Sequence, residues 1–133
     1  MAALEGVEHI IHAGDMGAPA VIDALRRISP VTAIRGDADV GYWAREFPKT
    51  AVAKVGGLLI YVIHNILDLD LDPRAAELSA VVYGHSHSAM QHVRDGVLYF
   101  NPGSAGPRRF HLPISVGCLM IDDSVKTGEI VTL

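Results

Sequence analysis

The sequence predicts an α/β fold of two stacked β-sheets flanked by helices, in a single domain spanning residues 1–133. Three observations predict it. Short apolar, β-branched runs recur at residues 7–11, 30–34, 58–63 and 80–83, the length of buried strands. A helical pattern over residues 18–28 separates the first two and makes a βα unit. Glycine turns at Gly56 and Gly57, and at Asp95 and Gly96, join neighbouring runs as hairpins, so parallel and antiparallel connections are mixed.

Taken in order, residues 1–6 read as a helix tail stopped by Gly6. Residues 7–11 are the first strand. The helix over 18–28 has Pro19 in its first turn and Val21, Ile22, Leu25 and Ile28 at helical spacing. Residues 30–34 form the next strand. Residues 40–49 fit a short helix or a lid, with Trp43 and Phe47 packing into the core. Residues 50–55 and 58–63 make the first hairpin. Asp68, Asp70 and Asp72 resemble the opening of a calcium loop, but Pro73 and Ser79 stand where that loop needs glycine and glutamate, which excludes it. Asp72 instead caps a short helix starting at Pro73 and running through Leu78. Residues 80–83 are a strand, 90–94 and 97–100 a second hairpin, and 114–121 and 129–133 two closing strands.

Composition narrows the function. At 133 residues the chain suits one core. With half its residues hydrophobic and a fifth charged, it has the composition of a soluble globular protein rather than a disordered one. Net charge is -4, and no basic cluster is denser than Arg26 and Arg27 or Arg108 and Arg109. No sequence-independent grip on nucleic acid is expected from that distribution. The single cysteine, Cys118, has no internal disulfide partner and reads as a small buried hydrophobe. There is no 18-residue apolar run and no signal-peptide pattern at the start, so no membrane span is expected and the cytoplasm is the expected compartment.

The chemistry concentrates where strands end. Residues 80–83 run into Gly84, His85, Ser86 and His87, and if that end stays extended the two histidines share one face. Neutral imidazoles so placed can hold one metal, or one each of two neighbouring metals. The other runs end alike: at His12, Ala13, Gly14 and Asp15; at Arg35, Gly36, Asp37, Ala38 and Asp39; and at His64 and Asn65. Ligands collect at the carboxyl ends of strands in α/β proteins, so these ends suggest one site.

The ordered set His12-x-Gly14-Asp15, Arg35-Gly36-x-x-Asp39, His64, Gly84-His85-x-His87 and Asn101-Pro102-Gly103-Ser104 resembles the calcineurin-like metallophosphoesterases. Within them it is similar to the small YfcE-type phosphodiesterases of prokaryotes, over almost the whole chain. The resemblance implies the calcineurin-like sandwich and hydrolysis of a small phosphodiester by a metal-activated water at a dinuclear site. It implies divalent ions, drawn from manganese, iron, zinc, cobalt or nickel, with Asp15 as the carboxylate between them. Asp37, His64 and His85 would complete the second metal's ligands, and His87 would belong to the first. Asp39, Asn101 and Ser104 would orient loops or substrate, and His12 would brace the turn at Gly14 and Asp15. His9, His92 and His111 lie in no motif and read as surface or satisfied core residues.

Departures from the family pattern sharpen the expectations. The family's opening strand, which ends in Asp-x-His and supplies two ligands of the first metal, is absent, a difference of about 20 residues by average element lengths. Either the start codon is placed too late or the gene is truly truncated; an N-terminally truncated sandwich should have two unpaired edges, a gap in the core and impaired activity. A rearranged sheet, a homo-oligomer such as a dimer that fills the gap, or marginal stability are the outcomes expected, and one metal instead of two is the expectation for an impaired first site. Asp37 stands where the family has asparagine; its charge should tighten metal binding and reduce Lewis acidity. Asn65 stands where the family usually has glycine, and the loop is expected to survive the change because asparagine tolerates positive φ. Ala38 occupies the place where larger relatives put a histidine acid. Lacking a general acid worth about 10²–10⁴-fold, the site should favour acidic leaving groups, hence activated phosphodiesters. The alternative is a catalytically inactive scaffold or protein-interaction module, as in the retromer subunit that shares this fold.

Overall fold

Parallel strands need a crossover of a dozen or more residues, and the chain supplies one between its first two strands. β1 (Ile10–His12) and β2 (Val31–Ala33) pair in parallel, with Ile10 opposite Val31 and His12 opposite Ala33. The crossover carries α1 (Pro19–Arg26), which buries Ile22 and Leu25 against Ile10, Ala33 and Phe47. The computed structural model describes residues 9–14, 19–36, 39, 42–55, 57–86, 89–103, 115–119 and 128–132. Of the predicted site residues, Asp15, Asp37, His87 and Ser104 lie outside that set, as does His111. The helix is shorter than its apolar pattern. After Arg26 the backbone N–H groups of Ile28 and Ser29 both donate to the Leu25 carbonyl, a turn that sends the chain into β2.

The larger sheet holds β3 (Thr50–Val55), β4 (Leu58–Ile63), β5 (Ala80–Val82), β6 (Met90–Arg94) and β7 (Val97–Asn101). Their order is β3-β4-β5-β7-β6. β4, β5 and β7 run parallel at the centre, while β3 and β6 pair antiparallel at the edges. Position explains composition. The centre is buried on both faces and reads as an unbroken apolar run at Ala80, Val81 and Val82, whereas all five residues of β6 are exposed. Alternation sorts the two faces. Ala53, Ile60, Ala80, Val82, Leu98 and Phe100 pack with Ile11 of β1 and with Ala13 just past it, which stacks the two sheets. Tyr61, Ile63, Val81 and Tyr83 point the other way, onto Leu78 and the partly buried Leu69 and Leu71. β8 (Ser115–Leu119) and β9 (Gly128–Thr132) form a further antiparallel pair.

Both predicted hairpins form, with Val55 opposite Leu58 and Arg94 opposite Val97. The second turns at Asp95 and Gly96 with φ of 53° and 77°, the positive pair a two-residue type I′ turn requires. Residues 42–46 form a short 3-10 helix, Tyr42–Glu46. It delivers Phe47 to the core with Trp43 edge-on at 6.4 Å and the Arg26 guanidinium over the Phe47 ring.

One predicted helix is replaced. Asp72 caps its segment, with Oδ1 accepting from the N–H groups of Arg74 and Ala75 at 3.0 and 3.4 Å. The chain then makes one turn and stops, because Glu77 takes φ of 58° and Leu78 folds back to bury its side chain on the sheet. Among the described residues β1 has a strand neighbour on its β2 side alone, and no helix is long and apolar enough to cross a membrane.

Candidate metal centre

The strand ends are tied to one another by backbone contacts. Past β1 and β2, the Ile34 N–H donates to the His12 carbonyl at 3.2 Å. Past β4 and β5, the Gly84 N–H donates to the His64 carbonyl at 3.0 Å, and the Tyr83 N–H reaches the Phe100 carbonyl in β7 at 3.1 Å. The two groups of loops meet at Gly14, whose φ is 102°. A Cβ on Gly14 would lie 2.6 Å from His64 Nδ1 and 2.7 Å from Gly36 Cα. No side chain fits there, so glycine is required twice over, by conformation and by space.

His64 sits at the centre of this packing. It is buried, and its Nδ1 lies 2.8 Å from the Ala13 carbonyl oxygen. A carbonyl only accepts, so Nδ1 carries a proton, and the nitrogen left to act as a metal ligand is Nε2, which is itself buried. This is the arrangement that orients a metal-ligating imidazole. The His85 ring stands edge-to-face to it, with centroids 5.2 Å apart.

His85 reaches that place by an unexpected route. The extended strand end that would put His85 and His87 on one face is not what forms at His85, where φ is 70°. The Ser86 N–H donates back to the Gly84 carbonyl at 2.8 Å, closing a three-residue turn around His85. Asn65 departs as well. Its φ is -114°, so tolerance of positive φ is not what it contributes. It caps the 3-10 helix Ile66–Asp68, its Oδ1 accepting from the Leu67 N–H at 3.0 Å.

The remaining described residues brace loops. His12 Nδ1 accepts the Gly14 N–H at 3.2 Å, one residue before Asp15. Asp39 is buried. Its Oδ2 accepts the Gly36 N–H at 2.9 Å while its own N–H donates to the Gly36 carbonyl at 3.1 Å, so the two residues bracket Asp37 and Ala38 in sequence. Asn101 is fully buried and bonds to Gly84, Ser86 and Gly103. A side chain so enclosed orients a loop rather than touching a substrate. His9 bonds Thr32 Oγ1 at 2.8 Å, and the exposed His92 stacks on Tyr99. Ala13 and Gly36 stand in the predicted strand ends with no role assigned: Ala13 acts through its carbonyl, which no side-chain pattern reveals, and Gly36 through close backbone approach.

Among the described residues, which do not include Asp15, Asp37 or His87, no three His, Cys, Asp or Glu side chains converge. The comparisons decide the lineage. Residues 1–124 match the calcineurin-like phosphoesterase superfamily domain. The chain belongs to the calcineurin-like phosphoesterase superfamily. A probable metallophosphoesterase of Methanothermobacter thermautotrophicus is 29% identical, the match covering 97% of this chain and 78% of that one. The probable metallophosphoesterase YsnB of Bacillus subtilis is 30% identical, over 91% of this chain and 73% of its own length. Among solved structures, an archaeal phosphodiesterase superposes with a TM-score of 0.79 at 21% identity, covering 97% of this chain and 85% of that chain. A single-mutant Vps29 of Entamoeba histolytica superposes with a TM-score of 0.77 at 21% identity, covering 99% and 87%. At those identities the structures speak for the fold, which is the mixed α/β sandwich of the calcineurin-like phosphoesterases.

Proposed function

We propose that this chain is a metal-dependent phosphodiesterase of a dinuclear design, in which Asp15, Asp37, His64 and His85 hold one metal and His87, lacking the family's Asp-x-His beside it, is what this chain offers the other. The observation that carries this reading is the 2.8 Å contact of His64 Nδ1 with the Ala13 carbonyl oxygen, which assigns the proton to Nδ1 and leaves Nε2 to act as a metal ligand beside the His85 ring. Membership of a metallophosphoesterase family supports it. Imidazole and carboxylate donors fit manganese, iron, zinc, cobalt or nickel. Divalent ions, when bound, supply a nucleophilic water at neutral pH and offset charge on the phosphoryl oxygens.

The chain's own residues do the rest. Ala13 fixes the tautomer and direction of His64. Gly14 and Gly36, which precede Asp15 and Asp37 in the sequence, let two loops approach closely. Asp39 ties the second of those loops. With Ala38 in place of an acid, the leaving group departs with little protonic help, which favours aryl over alkyl phosphodiesters.

The test is metal content per chain by elemental analysis, alongside hydrolysis of bis(4-nitrophenyl) phosphate with added manganese. The expected result is turnover abolished by EDTA and restored by Mn²⁺. A folded protein with neither metal nor turnover would replace this reading with the scaffold one, for which the superposition on Vps29 provides fold-level support.

A further inference from the structure

We propose that Asn101 is a positioning residue whose amide clamps the turn around His85 and so holds the His85 ring against His64. The proposal rests on the metal-site reading above for its consequence, but not for its geometry. His85 occupies the centre of a three-residue turn, with φ of 70° and the Ser86 N–H on the Gly84 carbonyl. This is the strained hand of the γ-turn, disfavoured for any residue with a Cβ, and such strain persists only where the surroundings over-determine it.

Asn101 provides that determination. Its Nδ2 donates to the Gly84 carbonyl at 3.2 Å and to Ser86 Oγ at 3.0 Å, so one amide group grips the residues on both sides of His85. Its Oδ1 accepts the Gly103 N–H at 2.9 Å. The orientation is unambiguous. A backbone N–H only donates and a carbonyl only accepts, so oxygen faces Gly103 and nitrogen faces Gly84. Complete burial at the end of β7 keeps water from competing for these groups. The loop is held from its other side too, because the Gly84 N–H sits on the His64 carbonyl. Asn101 and His64 thus hold Gly84 through its carbonyl and its N–H respectively, and the His85 ring centroid stands 5.2 Å from that of His64. Only a side chain carrying both N–H donors and a carbonyl in this shape serves. Aspartate has the shape and lacks the donors.

The test compares wild type with Asn101→Asp and Ser86→Ala. Ring-to-ring NOEs between His64 and His85 are measured in the metal-free protein, and Mn²⁺ affinity by calorimetry. Wild type should show the ring contacts. Asn101→Asp should lose them and bind Mn²⁺ at least about tenfold more weakly while keeping its far-ultraviolet circular dichroism, a split that general destabilisation does not produce. Should Asn101→Asp fail to fold, Ser86→Ala, at an exposed position, removes one arm of the clamp and should weaken Mn²⁺ binding about two- to fivefold. Ring contacts and affinity unchanged in the folded variants would overturn the clamp. Wild type that binds no Mn²⁺ would overturn the metal reading instead, and the ring contacts would still decide the clamp.

Discussion

His64 and His85 face one another across the centre but are held by opposite means. His64 is buried, follows the central strand β4 and is fixed through its own ring by the Ala13 carbonyl. His85 is exposed, stands in a strained turn and is fixed through its backbone neighbours. The first is positioned by packing and the second by a hydrogen-bonded loop. The difference teaches that one site draws on two kinds of rigidity, and that they should fail differently under mutation.

The packed side should break hardest. Gly14→Ala forces a Cβ into Gly36 backbone and the His64 ring at a positive φ, and should cost about 3–5 kcal/mol in urea denaturation. A loss under about 1 kcal/mol would mean the three loops yield easily, and the contrast between the histidines would shrink. Next, His64→Ala should lower Mn²⁺-dependent phosphodiester hydrolysis by at least about 100-fold. His85→Ala, on the exposed side, should lose activity comparably but stability by no more than about 0.5 kcal/mol, so equal destabilisation by the two substitutions would erase the distinction. Asp39→Ala removes a carboxylate accepting the Gly36 N–H and should cost about 1.5–3 kcal/mol, read from the same denaturation curves. The smallest effect sharpens the chemistry alone: Asp37→Asn should weaken Mn²⁺ binding severalfold while raising turnover at saturating metal, and no change in either would remove the charge argument.

Much of this was legible in the sequence, for physical reasons that differ by element. The hairpins were readable because Asp95 and Gly96 are residues that accept positive φ, and both adopt it. The central strands were readable because burial on both faces demands unbroken apolar runs. The capped segment after Asp72 was half readable. Its N-terminal capping is local chemistry, whereas its early stop follows from where Leu78 must go on a sheet assembled from distant parts of the chain. At the site, residue types pointed to His64 and His85, and His12 braces Gly14 as its motif suggested. The turn at His85 was not legible, since alternation holds only while a strand stays extended. Nor was Ala13, whose role belongs to the main chain and leaves no mark on side-chain pattern.

The Ala13 contact bears on transplantation. A protein engineer who grafts the segment around His64 onto another sheet would copy the imidazole and lose its tautomer, because the carbonyl that sets it belongs to a residue 51 positions earlier in the chain. Grafting the segment around Gly14 without its glycine neighbour at position 36 would fail for the reciprocal reason, with nothing shaped to receive it. These loops are portable only as a set, and a library that recombines them singly should yield folded but chemically silent proteins.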